Sequence, residues 1–327
     1  MSILQVAGED IDFGGSGVSV DTTSGRFRSG FARCDINGGT TYRPSTTFQG
    51  GGVTSCWFYC YYEWNNSGTT SNLWVGLIDS TNFPNGIWIG NDSSDATRVS
   101  VYTYNGTTKT RLLQGNQTGL YPGNAATLHR IDVQLQNYGA TSTITLYVDG
   151  VLNGVFSGSS AISGTTSLNA IGLGPSSGNS SGASEMVVSS TDTRAFSLFT
   201  MAPTGAGNTD SWSGTYTGVN GTSYSDANPV YTNVATQNED FTLTSPPSGS
   251  FSIAAVVRNF RGAKTSGSTT NDISGGFYIG STHYTGTAQA MATSFALYQQ
   301  FYATNPATSV AWLYSALTGL EANLGSS

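Results

Sequence analysis

The sequence predicts an all-β protein built as two β-sandwich, jelly-roll-like domains, with one short helix near the C-terminus. Three observations carry that prediction. The chain of 327 residues holds 42 glycines and much Ser, Thr and Asn, a composition that costs helices stability and suits strands joined by tight turns. Apolar and polar residues alternate with a period of two through most of it. Turn signals recur at the spacing of a sandwich. The length suits two domains, a larger jelly roll over 1–200 and a smaller β domain over 203–327. Aromatics make up 12% of residues, enough to fill packed cores and to argue against disorder.

The clearest alternation lies in "LHRIDVQLQNYGATSTITLYVDGVLNGVF". Ile131, Val133 and Leu135 share one face, and Arg130, Asp132, Gln134 and Gln136 the other. After a turn at 137–140, Ile144, Leu146 and Val148 alternate with Thr143, Thr145, Tyr147 and Asp149. Asp149-Gly150 is the pair that a type I′ hairpin turn wants, since both central residues need positive φ. Further strands are expected at 25–36, 53–64, 73–79, 86–90, 98–105, 110–114, 168–173 and 185–190. The stretch "APTGAGNTD" (202–210) reads as a linker or long loop. Beyond it, strands are expected at 212–219, 241–244, 250–260, 276–281 and 293–302. The helix is expected in "NPATSVAWLYSALTGLEANLG". Asn305 would cap it, Pro306 would open it, and Val310, Leu313, Leu317 and Leu320 would form its apolar stripe.

"VTSCWFYCYYEWNN" concentrates six aromatics in eight positions. Alternation points Cys56, Phe58, Cys60, Tyr62 and Trp64 into a sandwich and Trp57, Tyr59 and Tyr61 out of it. Rings left in water would form a large apolar patch. Three readings stay open: a cover from the same chain, an interface with another subunit, or a platform on which sugars stack.

Bulk charge narrows the function. The formal charge is −7 with 12 basic residues and no basic cluster, so nucleic-acid binding is not expected. No segment reaches membrane-spanning length, and "MSILQVAGEDIDFGG" lacks the basic and apolar regions of a signal peptide. Cys56 and Cys60 on one strand face would stand roughly 13 Å apart, too far for a mutual disulfide. Either could meet Cys34 on a neighbouring strand, but reduced, buried thiols are the default. Asp79, Asp92 and Asp95 flank "STNFPNGIWIGNDSSD" and are the candidates for a Ca²⁺ site, against the plainer reading that they cap turns. His129 is expected as a hydrogen-bonded edge histidine, and His283 in a loop with no acid near it in sequence.

The segment "HRIDVQLQNYGATSTITLYVDGVLNGVFSG" resembles the core hairpins of laminin-G-like, concanavalin A-like domains. "SEMVVSSTDTRAF", "DSWSGTYTGVNGTSYSDA" and the closing "TNPAT…AW…ALTGLE" rhythm resemble virion structural proteins of tailed bacteriophages. The resemblance implies a non-enzymatic subunit on the exterior of the virion, as capsid decoration or tail component. It implies contacts with other virion proteins, a homo-oligomer and contact with host-surface glycans; a lectin-like adhesin is the alternative. The E-x-D-x-x-E strand motif of jelly-roll glucanases has no counterpart here.

Overall fold

In the computed structural model the chain is all-β. Described residues are 3–7, 13, 18–21, 33–36, 42–65, 73–121, 126–174, 182–219, 226, 228–268 and 272–327. The expected strand at 25–36 lies outside them except at 33–36. The chain divides into unit 1, Met1–Leu198, and unit 2, Phe199–Ser327.

Unit 1 holds β1 (Ile3–Ala7), β2 (Val18–Asp21), β3 (Arg33–Ile36), β4 (Arg43–Thr47), β5 (Cys56–Asn65), β6 (Leu73–Ile78), β7 (Gly86–Asn91), β8 (Val99–Tyr104), β9 (Lys109–Gln114), β10 (Ala126–Gln136), β11 (Ser142–Val148), β12 (Val151–Gly158), β13 (Ala170–Leu173) and β14 (Gly182–Ser189). An eight-stranded sheet runs β12-β11-β10-β5-β14-β3-β2, with β1 also on β14; a six-stranded sheet runs β4-β13-β6-β7-β8-β9. All pairings are antiparallel, as short hairpin connections require. The inward faces meet in one core. Phe58, Cys60, Tyr62, Trp64, Ile131, Val133, Leu146 and Met186 from the large sheet pack against Trp74, Leu77, Ile87, Ile89, Val101 and Ile171 from the small one. Each such side chain contributes on the order of 1.5–3 kcal/mol. Asp149 and Gly150 both take positive φ (50° and 78°), the turn that "DG" implies.

Unit 2 holds β15 (Pro203–Asp210), β16 (Asn238–Leu243), β17 (Val256–Gly262), β18 (Asp272–Ile279), β19 (Thr282–Thr285), β20 (Gln289–Ala290), β21 (Ala296–Tyr302) and β22 (Glu321–Ser326). One sheet runs β15-β16-β22-β18-β19, with β20 on β18, and β17 pairs with β21 as a ribbon. Phe241, Phe260, Ile273, Met291, Ala322 and Leu324 form the core between ribbon and sheet.

Three local expectations need correction. Residues 202–210 are not a linker: 203–210 form edge strand β15, whose small residues alternate half-buried and exposed. Residues 212–219 are not a strand but a loop ending in a 3-10 turn at Tyr216–Gly218. The C-terminal helix shrinks to a single 3-10 turn, Tyr314–Leu317. Its start signal is real but spends itself in one turn: Asn305 Oδ1 accepts from Ala307 N (2.9 Å), and Asn305 O accepts from Ser309 N (2.7 Å). Ser309 then takes a left-handed φ of 59° and ends it. The residues beyond become β22, the strand between β16 and β18. Val310 and Leu313 are left 59% and 67% exposed, while Leu317 and Leu320 are buried.

Candidate functional site

The outward face of the large sheet holds the three predicted aromatics. The register sets Trp57 opposite Gln134, Tyr59 opposite Asp132 and Tyr61 opposite Arg130. None of the three joins the inner core that takes Phe58. Their surroundings diverge. Tyr59 is completely buried, whereas Trp57 and Tyr61 are half-buried.

Tyr59 is covered by an arginine. The Arg130 guanidinium lies 4.1 Å from the Tyr59 ring centroid and 5.9 Å from that of Tyr61. Arg130 donates from Nε and Nη2 to both carboxylate oxygens of Asp132 (2.8 and 2.9 Å). It also donates to the carbonyls of Phe196 and Thr193, both at 2.6 Å. Thr193 Oγ1 donates to Asp132 Oδ1 (2.9 Å). Burial works against the charge on Arg130, but the Asp132 carboxylate outweighs it and raises the guanidinium's pKa. Burial, with Glu185 nearby, pushes the Tyr59 phenol well up. Asp132, on the polar face of its strand, is fully buried, because this bidentate pair replaces water.

Trp57 lies on the same interior strand, two residues before Tyr59. It stacks beside Tyr147 at 6.1 Å, and Arg194 lies over both rings, 5.3 Å from Trp57 and 4.5 Å from Tyr147. Asp192 holds Arg194 by a forked pair, with Nη2 at 2.5 Å from Oδ2. Next in register come Leu152, opposite Tyr147, and Val155, opposite Thr145. They are 52% and 53% exposed on the edge strand. Trp57, Tyr147, Arg194, Leu152 and Val155 therefore make one surface of rings, aliphatic groups and a guanidinium, the make-up of protein interfaces. Sequence reasoning found Trp57 and missed the rest. Arg130 and Asp132 were visible as an R-x-D pair on one face of a strand in a chain with 9% charged residues.

A second outward face lies on the small sheet. Pro44, Gly172, Gly76, Trp88, Tyr102 and Arg111 line up across its six strands. Trp88 lies across the two glycines: a Cβ on Gly172 would sit 2.6 Å from Trp88, and one on Gly76 2.8 Å from it. Trp88 donates its indole N–H to Pro84 O (3.0 Å) and is fully buried. Tyr42 meets it edge-on at 5.0 Å and Tyr104 lies 5.2 Å beyond; both are half-buried, with Lys109 opposite Tyr104 and Arg111 opposite Tyr102 in register.

The candidate Ca²⁺ ligands do not assemble. Asp79 accepts from Thr81 N, Asn82 N and Asn82 Nδ2 in the turn after β6. Asp92 accepts from Ser94 N and Oγ, Ser100 Oγ (2.8 Å), Arg111 Nη1 (2.7 Å) and Gln114 Nε2. Asp95 accepts from Thr97 and Arg98. Burial pushes the Asp92 carboxyl up, but the bonds from Ser94, Arg111 and Ser100 outweigh it and hold its pKa far below the usual range. These aspartates cap turns and pin strands. Among the described residues no group of three or more His, Cys, Asp and Glu has metal-holding geometry.

Cys56 and Cys60 are free, buried thiols in the core, and burial pushes the Cys56 thiol up to about 12. The side chain of Cys34 lies outside the described residues. His129 is bonded at both ring nitrogens, Nδ1 to Asp149 Oδ2 (2.6 Å) and Nε2 to Leu120 O (2.7 Å). His283 departs from expectation. It lies in β19, not a loop, and its Nε2 is 2.9 Å from the buried carboxylate of Asp240, brought there by sheet pairing. Thr209 Oγ1 meets the same nitrogen at 3.3 Å. A proton relay needs hydroxyl and carboxylate on opposite ring nitrogens, so this trio is not a nucleophile triad.

No protein-family model matches the chain, and no curated protein matches it. Among solved structures it is similar to the CBM40 of a Ruminococcus gnavus IT-sialidase bound to α2,6-sialyllactose, at 15% identity and TM-score 0.30, over 47% of this chain and 94% of that one. It is similar to the endo-β-1,4-glucuronan lyase of the fungus Trichoderma reesei, at 11% identity and TM-score 0.37, over 58% and 96%. It is also similar to domain 4 of AbnA, a GH43 arabinanase of Geobacillus stearothermophilus, at 17% identity and TM-score 0.33, over 57% and 81%. Likenesses this distant transfer no residue role and no ligand to this chain.

Proposed function

We propose that the chain is a non-enzymatic structural subunit of the exterior of a tailed-bacteriophage virion, as capsid decoration or tail component. It packs against neighbouring virion proteins or further copies of itself through the outward face of the large sheet. One observation carries the reading: Trp57 and Tyr147 stack under Arg194 and run into Leu152 and Val155, both more than half exposed at the sheet edge. Rings and arginine anchor interfaces, and exposed aliphatic groups on an edge strand gain by being covered. The resemblance of the C-terminal motifs to virion proteins supplies the setting. The test is Leu152→Glu with Val155→Glu. The double variant should keep its melting temperature and lose self-association or incorporation into particles at least about tenfold, a loss of about 1.4 kcal/mol in contact energy. Unchanged assembly would remove the reading.

A second reading, contact with host-surface glycans, is favoured by the half-buried rings of Tyr42 and Tyr104 on the small sheet, with Lys109 opposite Tyr104. Rings with charged donors suit sugars. A glycan array on which the wild type binds and Tyr104→Ala does not would support it; an array blank for the wild type would remove it.

A further inference from the structure

The residues after β14 cross the aromatic face without joining any ladder. Residues 190–198 belong to no strand, and within them Thr193 alone is fully buried. Arg130 reaches up from the sheet to the carbonyls of Thr193 and Phe196, and Asp132 accepts from Thr193 Oγ1. Within the segment Phe196 N donates to Thr193 O (2.7 Å), and Arg194 donates from its backbone N (3.0 Å) and its guanidinium to the Asp192 carboxylate. Beneath lies Tyr59, fully buried, with Tyr61 beside it. The segment ends where unit 2 begins, at Phe199.

We infer that residues 190–198 are a latched strap and that the Arg130–Asp132 pair is its clip. The clip is polar and local, so the strap opens without breaking the sandwich core. Opening exposes the Arg130 guanidinium that lies over Tyr59. This inference rests on the clip geometry; Arg194, carried by the strap, also lies over Trp57 and Tyr147 of the proposed interface.

The test uses the full chain and two variants. Arg130→Gln leaves Asp132 buried without its partner and loosens more than the strap. Arg130→Met with Asp132→Leu removes both charges and keeps the volume. In the double variant, amides of 190–198 should exchange at least about tenfold faster, and trypsin should cut after Arg194 correspondingly faster, while amides of β5 and β10 keep their protection. The inference is overturned if strap exchange and cleavage are unchanged in both variants. It is equally overturned if strap amides exchange only in step with β5 and β10.

Discussion

The two outward faces of unit 1 both carry aromatic rings, and they cover them by opposite means. On the large sheet the cover comes from above: Arg130 and the strap lie over Tyr59, and Arg194 lies over Trp57 and Tyr147. On the small sheet room is made from below: Gly76 and Gly172 let Trp88 lie down against the backbone. The first device is polar and replaceable; the second is packing, which tolerates no added volume. An interaction surface belongs where the cover is polar and incomplete. That is why the proposed interface sits on the large sheet.

Perturbing each cover separates them, and the largest effects belong to the buried groups. Trp88→Ala should cost about 3–5 kcal/mol, and Gly172→Ala about 1–3 kcal/mol through overpacking against Trp88, both read in chemical denaturation. Arg130→Gln should cost about 3–5 kcal/mol by stranding the Asp132 charge, and adding Asp132→Leu should recover much of that loss. Equal costs for single and double variants would show that the pair does not act as a unit.

Asp92 ties Ser100, Arg111 and Gln114 across the small sheet, and pH probes it. Its carboxyl pKa is depressed in the folded state, so its contribution is present at neutral pH. That contribution is lost as the pH falls from about 4 toward the depressed value. Asp92→Asn should lower stability at pH 7 and flatten the acid limb of the melting curve. An acid limb identical to wild type would contradict the role assigned to Asp92.

The smallest effects on stability belong to the proposed interface. Trp57→Ala should change stability by less than about 1 kcal/mol while weakening assembly, because its ring lies on the outward face and outside the inner core. Added Ca²⁺ should leave the melting temperature unchanged, since Asp79, Asp92 and Asp95 are engaged by donors of the chain itself.

Much of the fold was legible because a strand writes its two faces into alternate residues. Phe58 against Trp57, and Val133 against Gln134, sort as the pattern says. The Asp149-Gly150 hairpin was legible for a similar reason: its φ requirement is local. What escaped depends on residues distant in sequence. Tyr59 is buried because Arg130 and Thr193 arrive from elsewhere in the chain. His283 acquires an acid because β19 and β16 share a sheet with β22. The C-terminal segment reads as a helix by spacing, yet pairing on both edges of β22 overrides that weak local preference.

The most direct measurement is a reconstruction of purified phage particles together with mass spectrometry of their proteins. The account predicts that the chain is present and that Trp57, Tyr147, Leu152 and Val155 lie against a neighbouring subunit. A particle lacking the chain, or one holding it with that face turned to solvent, would contradict it.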